Sequence, residues 1–263
     1  MLKEYKAHVK ERAEQGIPPL PLNAEQVASL VELIKGPPSG EEDFVLDLIT
    51  NRVPAGVDPA AYVKAAFLTD IAKEKANSPL IDKKLATELL GTMLGGYNVE
   101  SLIELLEDEE VGAIAADGLS NTLLMFNAKH DVIELSKKNE HAKRVVDSWS
   151  NGEWFTSKPK LPDVIKAIVF KVDGEINTDD LSPAQDAPSR PDIPLHALAM
   201  LKKTFKDPID TINKLEESGL PVVFVGDVVG TGSSRKSATN SLLWHIGEDI
   251  PYIPNKRQAG ICI

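Results

Sequence analysis

Apolar residues in the first part of the chain recur at helical spacing. The clearest segment is "NAEQVASLVELIKG" (residues 23–36), whose apolar side chains form one stripe at positions i, i+3, i+4 and i+7. Asn23 stands at the start as a cap, Gln26 follows three positions later as in a capping box, and Gly36 can end the helix. This pattern predicts an amphipathic helix with both of its ends specified.

Further segments up to residue 157 have the same helical pattern and are separated by Gly, Pro and Asn residues. In one of them, Asp58 can cap a helix whose first position is Pro59. Short connections between successive helices predict a stacked α-solenoid, in which each helix pair buries its apolar stripe on its neighbours. A plain helical domain without a binding partner is the alternative. The remaining segments are "DPAAYVKAAFLTDIAKEKA", "DKKLATELLGTML", "NVESLIELLED" and "HAKRVVDSWSNGEWF".

The pattern changes after residue 157 to strands that alternate with helices. Two apolar, β-branched runs, "VIKAIVFKV" (164–172) and "PVVFV" (221–225), predict buried strands. This alternation predicts an α/β domain over residues 158–263. "GICI" can begin another strand, and the absence of a cap or polar tail after it predicts an incomplete domain. Helices are expected at "PLHALAMLKKTF", "DTINKLEESG" and "ATNSLLWHIG".

The composition narrows the classes of function. Residues 1–157 carry a net charge of −10 out of −11 for the whole chain, so this part lacks the basic field that general nucleic-acid binding requires. The apolar runs are too short for a membrane span, and the charged N-terminus does not resemble a secretory signal. The single cysteine, Cys262, excludes an internal disulfide and cannot alone hold zinc or an iron–sulfur cluster. A cytoplasmic protein without a metal site of its own is expected.

A glycine–serine segment, "VGTGSSRKSATNS" (229–241), follows the second predicted strand. Its spacing does not match a Walker A loop, a dinucleotide fingerprint or a nucleophile elbow. Gly230 and Gly232 allow a positive φ and a close approach of a ligand to the backbone. The serines that follow lie where a helix would begin, and Arg235 adds a planar fork of donors. The segment predicts an anion site that can also stabilise a serine alkoxide; alternatively, the serines cap the helix and Arg235 is solvated.

A second polar segment, "GEINTDDLSPAQDAPSRPDIP" (174–194), follows the first predicted strand. If the two strands are parallel and adjacent, both polar segments emerge at the same carboxyl edge of the sheet, where α/β proteins bind ligands. Asp179, Asp180, Ser182 and Arg190 would then converge on the glycine–serine segment. Adjacent aspartates are more often turn formers than catalysts, but two arginines in one small pocket indicate an anionic ligand.

Several stretches resemble a known family. "TDDLSPA" (178–184) and "GTGSSRKSATNS" (230–241) resemble the mobile swivel domain of aconitases, and "SRPDIPLHALAML" (189–201) resembles the aconitase B branch. "GTMLGGYNVESLI" (91–103) and "LSNTLLMF" (119–126) are similar to that branch as well. In this branch a HEAT-like helical domain precedes the swivel domain and then the catalytic core. The resemblance therefore implies an α plus α/β chain, with a HEAT-like α-solenoid followed by an incomplete swivel domain.

The resemblance also implies roles for particular residues. Ser233 corresponds to the catalytic base, which as an alkoxide removes a proton from the carbon next to a substrate carboxylate. Ser234 and Arg235 correspond to residues that contact substrate, and Arg190 to an arginine that binds a carboxylate. The implied reaction interconverts citrate and isocitrate through cis-aconitate, with 2-methylisocitrate as a related substrate.

The resemblance gives less definite roles to two aspartates. Asp179 matches an active-site aspartate, whereas Asp180 stands where classical aconitases have a histidine. This departure leaves open whether Asp180 supports the active site.

The resemblance places a [4Fe–4S] cluster on three cysteines in the later core, so this chain is expected to bind no cluster and to be inactive alone. It also implies a homodimer formed through the helical domain, metabolic-enzyme partners and an RNA-binding role, although the acidic balance of residues 1–157 argues against RNA. The alternative function is a non-catalytic interaction or dimerisation module.

Overall fold

The computed structural model describes residues 1–122, 125 and 128–263. These residues form two compact units. The first contains residues 21–160 together with residues 1 and 252–254, and the second contains residues 2–20, 161–251 and 255–263. Part of the stretch "LSNTLLMF" lies outside the described residues.

Helices form the first unit. After α1 (Leu2–Glu14), which belongs to the second unit, the helices are α2 (Ala24–Lys35), α3 (Glu42–Asn51), α4 (Pro59–Ala72), α5 (Lys83–Gly91), α6 (Val99–Leu105), α7 (Gly112–Ser120), α8 (Lys129–Leu135), α9 (Glu140–Asn151) and α10 (Glu153–Thr156). They pack in series, with α2 against α4, α4 against α5, α5 against α7, and α7 against α9. Helices α2, α4, α5, α7 and α9 each bury apolar residues in this arrangement. That they are HEAT-like repeats stays a prediction.

The end signals of α2 and α4 are as the sequence predicts. The side chain of Asn23 accepts a hydrogen bond from the N–H of Gln26, and the Gln26 side chain accepts from the Asn23 N–H, so the capping box is complete. Gly36 is the C-cap residue of α2. Asp58 caps α4, and Pro59 occupies its first position. The apolar stripe of α2 is buried at Val27, Leu30, Val31 and Ile34.

The second unit contains a small parallel sheet with helices. Its elements in chain order are β1 (Ile168–Asn177), α11 (Thr178–Leu181), a 3₁₀ turn (Ala184–Ser189), α12 (Ile193–Ala197), α13 (Pro208–Glu216), β2 (Val222–Thr231), α14 (Lys236–Ile246), β3 (Glu248–Asp249), β4 (Arg257–Gln258) and β5 (Ile261–Cys262). The strand order is β1-β2-β5 with both pairings parallel, and β3 pairs with β4 antiparallel. This arrangement confirms the α plus α/β expectation and the strand within "GICI".

Two elements differ from the prediction. The first strand begins at Ile168 rather than Val164, and Val164 is 76% exposed. The first strand is also not buried on both faces. Phe170 and Val172 face the core while Lys171 between them is exposed, because successive side chains of a strand point to opposite faces of the sheet. The helix expected up to residue 205 ends at Ala197, because the chain turns over the following residues.

The core of the second unit lies between one face of the sheet and the helices. Phe170 and Phe224 are neighbours on β1 and β2, and their ring centroids are 5.7 Å apart. Residues of the helices and turns pack with these rings in a common core, although the register of β1 on β2 shifts after Val172 and again after Ile176. The buried members are Phe170, Val172, Ile176, Leu181, Met200, Leu201, Ile212, Val222, Phe224, Ala238 and Leu242.

Helix α1 contributes a buried ion pair to the second unit. Arg12 is 5% exposed and donates two hydrogen bonds to the carboxylate of Asp192, at 2.7 and 2.9 Å. Its Nε also donates to the carbonyl of Pro18 at 2.9 Å. Asp192 in turn is the N-cap residue of α12. The pair therefore joins the first helix to the turn that carries Arg190.

Candidate active site

The two polar segments lie at the same edge of the sheet. Strands β1 and β2 are parallel neighbours, and Asn177 at the end of β1 pairs with Thr231 at the end of β2. The chain leaves β1 into α11 and leaves β2 into the glycine–serine loop. The parallel adjacency assumed from the sequence is therefore correct, and the residues that follow both strands come together.

Arg235 donates hydrogen bonds to three residues at this edge of the sheet. Its Nε donates to the hydroxyl oxygen of Ser233 at 3.0 Å. Its Nη1 donates to the carboxylate of Asp179 at 2.7 Å and to the backbone carbonyl of Ser182 at 3.1 Å. Among the described residues, no hydrogen bond occupies the Nη2 group, which leaves two N–H donors of the fork for a further acceptor. A guanidinium held in this way presents a fixed cation beside a serine hydroxyl.

The loop before Arg235 has the backbone that its glycines predict. Gly230 has a φ of +86° and Gly232 a φ of +91°, both in the region that side chains disfavour. Helix α14 begins at Lys236, and Arg235 is its N-cap residue without a capping side chain. Neither serine caps the helix, so that alternative is wrong. Ser233 and Ser234 are both exposed beside the positive end of α14.

Arg235 changes the ionisation of its carboxylate partner. The hydrogen bond from the Arg235 guanidinium, together with one from the Ala184 N–H, holds the pKa of Asp179 below its usual value. Asp179 is therefore an anion at neutral pH. Its negative charge offsets part of the charge of Arg235 and orients the guanidinium.

Replacing Arg235 by glutamine should raise the pKa of Asp179 toward its ordinary value, because the cation that favours the carboxylate form is removed. Carbon-13 NMR titration of the side-chain carboxyl on the isolated chain measures this pKa. Asp227 is the matched control, since Lys171 lowers its pKa elsewhere on the same sheet and should continue to do so. An unchanged titration of Asp179 in Arg235→Gln would contradict the pairing.

Asp180 has a structural role at the start of α11. Its carboxylate accepts a hydrogen bond from the Asn177 N–H at 2.9 Å, and the Asn177 side chain accepts from the Asp180 N–H at 3.0 Å. These two bonds complete a capping box. The backbone carbonyl of Asp180 accepts from the Leu201 N–H at 2.8 Å. Its carboxylate thus holds the turn that presents Asp179.

Arg190 is the C-cap residue of the 3₁₀ turn that follows α11. It makes no hydrogen bond to Ser233, Ser234 or Arg235 within the described part of the chain. Its Nε atom is buried and has no hydrogen-bond partner among the described residues. A buried guanidinium nitrogen without an acceptor is costly, and an anionic ligand would satisfy it.

A buried histidine near these segments is not among the site residues predicted from the sequence. His196 is 2% exposed and its Nε2 lies 2.8 Å from the hydroxyl of Ser182. The same hydroxyl lies 2.7 Å from that of Ser237 on α14. The signal in the sequence was too weak, because a lone histidine in "PLHALAML" has no partner at a recognisable spacing.

Neither a metal site nor a membrane-spanning helix is found in the described ranges. No group of three or more His, Cys, Asp or Glu side chains is arranged to hold a metal ion within residues 1–122, 125 and 128–263. Over the same residues, none of the helices has the length and apolar character needed to span a bilayer.

The family model for the aconitate B N-terminal domain matches residues 4–155, and the model for the aconitate hydratase 2 N-terminus matches residues 167–263. The chain belongs to the aconitase B family. Aconitate hydratase B of Pseudomonas aeruginosa is 61% identical over 273 residues, and that of Escherichia coli K12 is 58% identical over 274 residues. Aconitate hydratase B of Helicobacter pylori is 52% identical over 264 residues.

Each of these three alignments covers 100% of the chain but only 31% or 32% of the aconitase B relative. The chain therefore spans about a third of the length of the curated relatives it matches. The family models confirm the resemblance seen in the two polar segments and in the helical stretches, and membership extends it across both units.

Proposed function

We propose that this chain supplies the base and part of the carboxylate-binding site of an aconitate hydratase, which interconverts citrate and isocitrate. The observation that carries the proposal is the position of Arg235, bonded to Ser233, Asp179 and the carbonyl of Ser182 at one edge of the sheet. Membership of the aconitase B family supports the same reaction class.

Ser233 is the proposed base. An exposed serine oxygen that accepts a hydrogen bond from a guanidinium has its negative charge stabilised when the hydroxyl loses its proton. The oxygen then takes a proton from the carbon next to a substrate carboxylate. The electron pair of that C–H bond forms the double bond of cis-aconitate as the hydroxyl leaves the neighbouring carbon. Return of the proton in the reverse direction accompanies rehydration.

Arg235 and Arg190 are the residues proposed to bind the carboxylates of the substrate. The Nη2 donors of Arg235 and the buried Nε of Arg190 are the unpaired cationic donors that the tricarboxylate substrate would satisfy. Ser234 and the first N–H groups of α14 flank Arg235 along the chain and add neutral donors. Asp179 contributes by holding Arg235 rather than by binding the substrate.

The iron–sulfur cluster implied by the family does not fit the residues described. They contain no group of side chains suited to a metal ion, and Cys262 is the single cysteine of the chain. None of the proposed steps is therefore assigned to a cluster bound here. What these residues do is bind the carboxylates and move one proton.

The Arg235→Lys variant tests this proposal, because lysine keeps the charge but loses the planar fork. In the enzyme containing this chain, we expect the KM for isocitrate to rise by roughly 10- to 100-fold, the loss typical of hydrogen bonds to a charged group. Lys171→Ala is the control, since it removes an exposed cation six residues before the end of β1. Equal KM values for Arg235→Lys and the wild type would reject the carboxylate role.

A further inference from the structure

A chain of hydrogen bonds lies buried beneath Arg235 in the second unit. Ser182 is completely buried, and its hydroxyl contacts both His196 and Ser237. The backbone carbonyl of the same Ser182 accepts a hydrogen bond from Arg235. One residue therefore joins the imidazole of His196 to the guanidinium of the proposed site.

The partners of His196 determine which of its nitrogens carries the proton. Its Nδ1 lies 3.1 Å from the carbonyl oxygen of Asp186 and 2.8 Å from the hydroxyl of Ser189. The Ser189 hydroxyl donates its own proton to that carbonyl at 2.7 Å, so toward His196 it can only accept. Both partners of Nδ1 are thus acceptors, and Nδ1 must carry the hydrogen.

This assignment fixes which group donates and which accepts in the remaining hydrogen bonds. In a neutral imidazole with a proton on Nδ1, the Nε2 atom is an acceptor. The Ser182 hydroxyl therefore donates to His196, and its oxygen accepts from the hydroxyl of Ser237. The hydroxyls of Ser182 and Ser189 then each have one donor and one acceptor role, and the Ser237 hydroxyl is a donor.

The surroundings of His196 favour its neutral form. Burial lowers the pKa of His196 below its ordinary value, and the cationic charges of Arg190 and Lys202 lower it further. The Asp186 carbonyl and carboxylate act in the opposite direction, but the net shift is downward. At neutral pH the ring is uncharged, as the directed chain requires.

We propose that His196, as the neutral tautomer with its proton on Nδ1, is a positioning residue for Arg235. By accepting the Ser182 hydroxyl, it holds the Ser182 backbone carbonyl at the place where Arg235 donates to it. The carbonyl and Asp179 together then set the direction of the guanidinium. The expected effect on substrate rests on the proposed function. The hydrogen-bond geometry around His196 does not depend on that function.

Two amide variants separate the roles of the two ring nitrogens. In His196→Gln, the amide oxygen can take the place of Nε2 and accept the Ser182 hydroxyl. In His196→Asn, the shorter amide can reach the partners of Nδ1 but leaves the Ser182 hydroxyl without its acceptor. A role in packing alone predicts that the shorter and the longer amide differ in stability but have the same KM.

The first measurement is nitrogen-15 NMR on the 263-residue chain, which does not depend on catalysis. We expect His196 to show a protonated Nδ1 and a bare Nε2, and the Nε–H signal of Arg235 to be sharp in the wild type and in His196→Gln. In His196→Asn the Arg235 signal should broaden. A proton on Nε2, or an unchanged Arg235 signal in His196→Asn, would overturn the proposal.

The second measurement is steady-state kinetics in the enzyme containing this chain. We expect His196→Asn to raise the KM for isocitrate roughly tenfold with a smaller change in kcat, and His196→Gln to stay within about threefold of the wild type. Equal KM values for both variants would reject the positioning role. If the NMR results hold while Arg235→Lys leaves KM unchanged, the proposed function fails and the geometric inference does not.

Discussion

Replacing Ser233 by alanine should lower kcat by roughly 10²- to 10⁴-fold, the range that a positioned general base contributes. The substitution removes the oxygen that accepts from Arg235 and leaves the guanidinium bonded to Asp179 and Ser182. Substrate binding should therefore change little, and the loss should appear in kcat rather than in KM. The measurement is steady-state turnover of isocitrate in the proposed aconitate hydratase.

Ser241→Ala is the matched control for this variant. Ser241 lies on α14, and its hydroxyl is buried without a hydrogen-bond partner among the described residues. Its removal should leave kcat within about twofold of the wild type, because no donor or acceptor loses a partner. A Ser233→Ala enzyme with wild-type kcat would show that another group is the base.

Replacing Arg12 by methionine should lower the free energy of unfolding of the second unit by about 3–5 kcal/mol. Methionine keeps much of the aliphatic stem but leaves the carboxylate of Asp192, whose side chain is 14% exposed, without its cation. Asp192 then loses the two hydrogen bonds that hold it at the start of α12. Hydrogen exchange at the amides of β1 and β2 measures the stability of this unit directly.

The double variant Arg12→Met with Asp192→Asn tests the origin of this loss. Asparagine removes the unpaired charge and can still cap α12, so the double variant should be more stable than Arg12→Met alone. Lys171→Ala breaks an exposed ion pair in the same unit and should cost no more than about 1 kcal/mol. A similar small cost for Arg12→Met would mean that the buried pair contributes no more than a surface pair.

The helical part of the fold could be predicted well because its signals are local. Asn23, Gln26 and Asp58 act within three residues of their partners, so the sequence contains both members of each contact. The helix expected at "PLHALAMLKKTF" is instead the short helix α12 followed by hydrogen-bonded turns. There the chain leaves the helix at Leu198, and Leu201 adopts a positive φ while its N–H bonds to the Asp180 carbonyl. That bond spans distant residues, and local pattern cannot show it.

The same distinction applies to the candidate site. The parallel pairing of two strands was enough to bring Asp179 and Arg235 together, and the glycine spacing indicated the shape of the loop. His196 could not be recognised, because its hydrogen-bond partners are hydroxyls from separate segments. Whether Asp180 caps α11 or faces the site was equally undecided by sequence, since both uses require the same residue type.

Helix α1 gives the chain an unusual order of assembly. Arg12 and its partner Asp192 are 180 residues apart, and both lie in the second unit while most of the intervening helices form the first. At a synthesis rate of about 5–20 residues per second, the first helix emerges from the ribosome roughly 10–40 s before its partner exists. During this interval Arg12 cannot form its bonds to Asp192. The unit that carries the serine loop therefore includes a helix that is translated well before the rest of it, and deleting α1 should slow refolding of this unit.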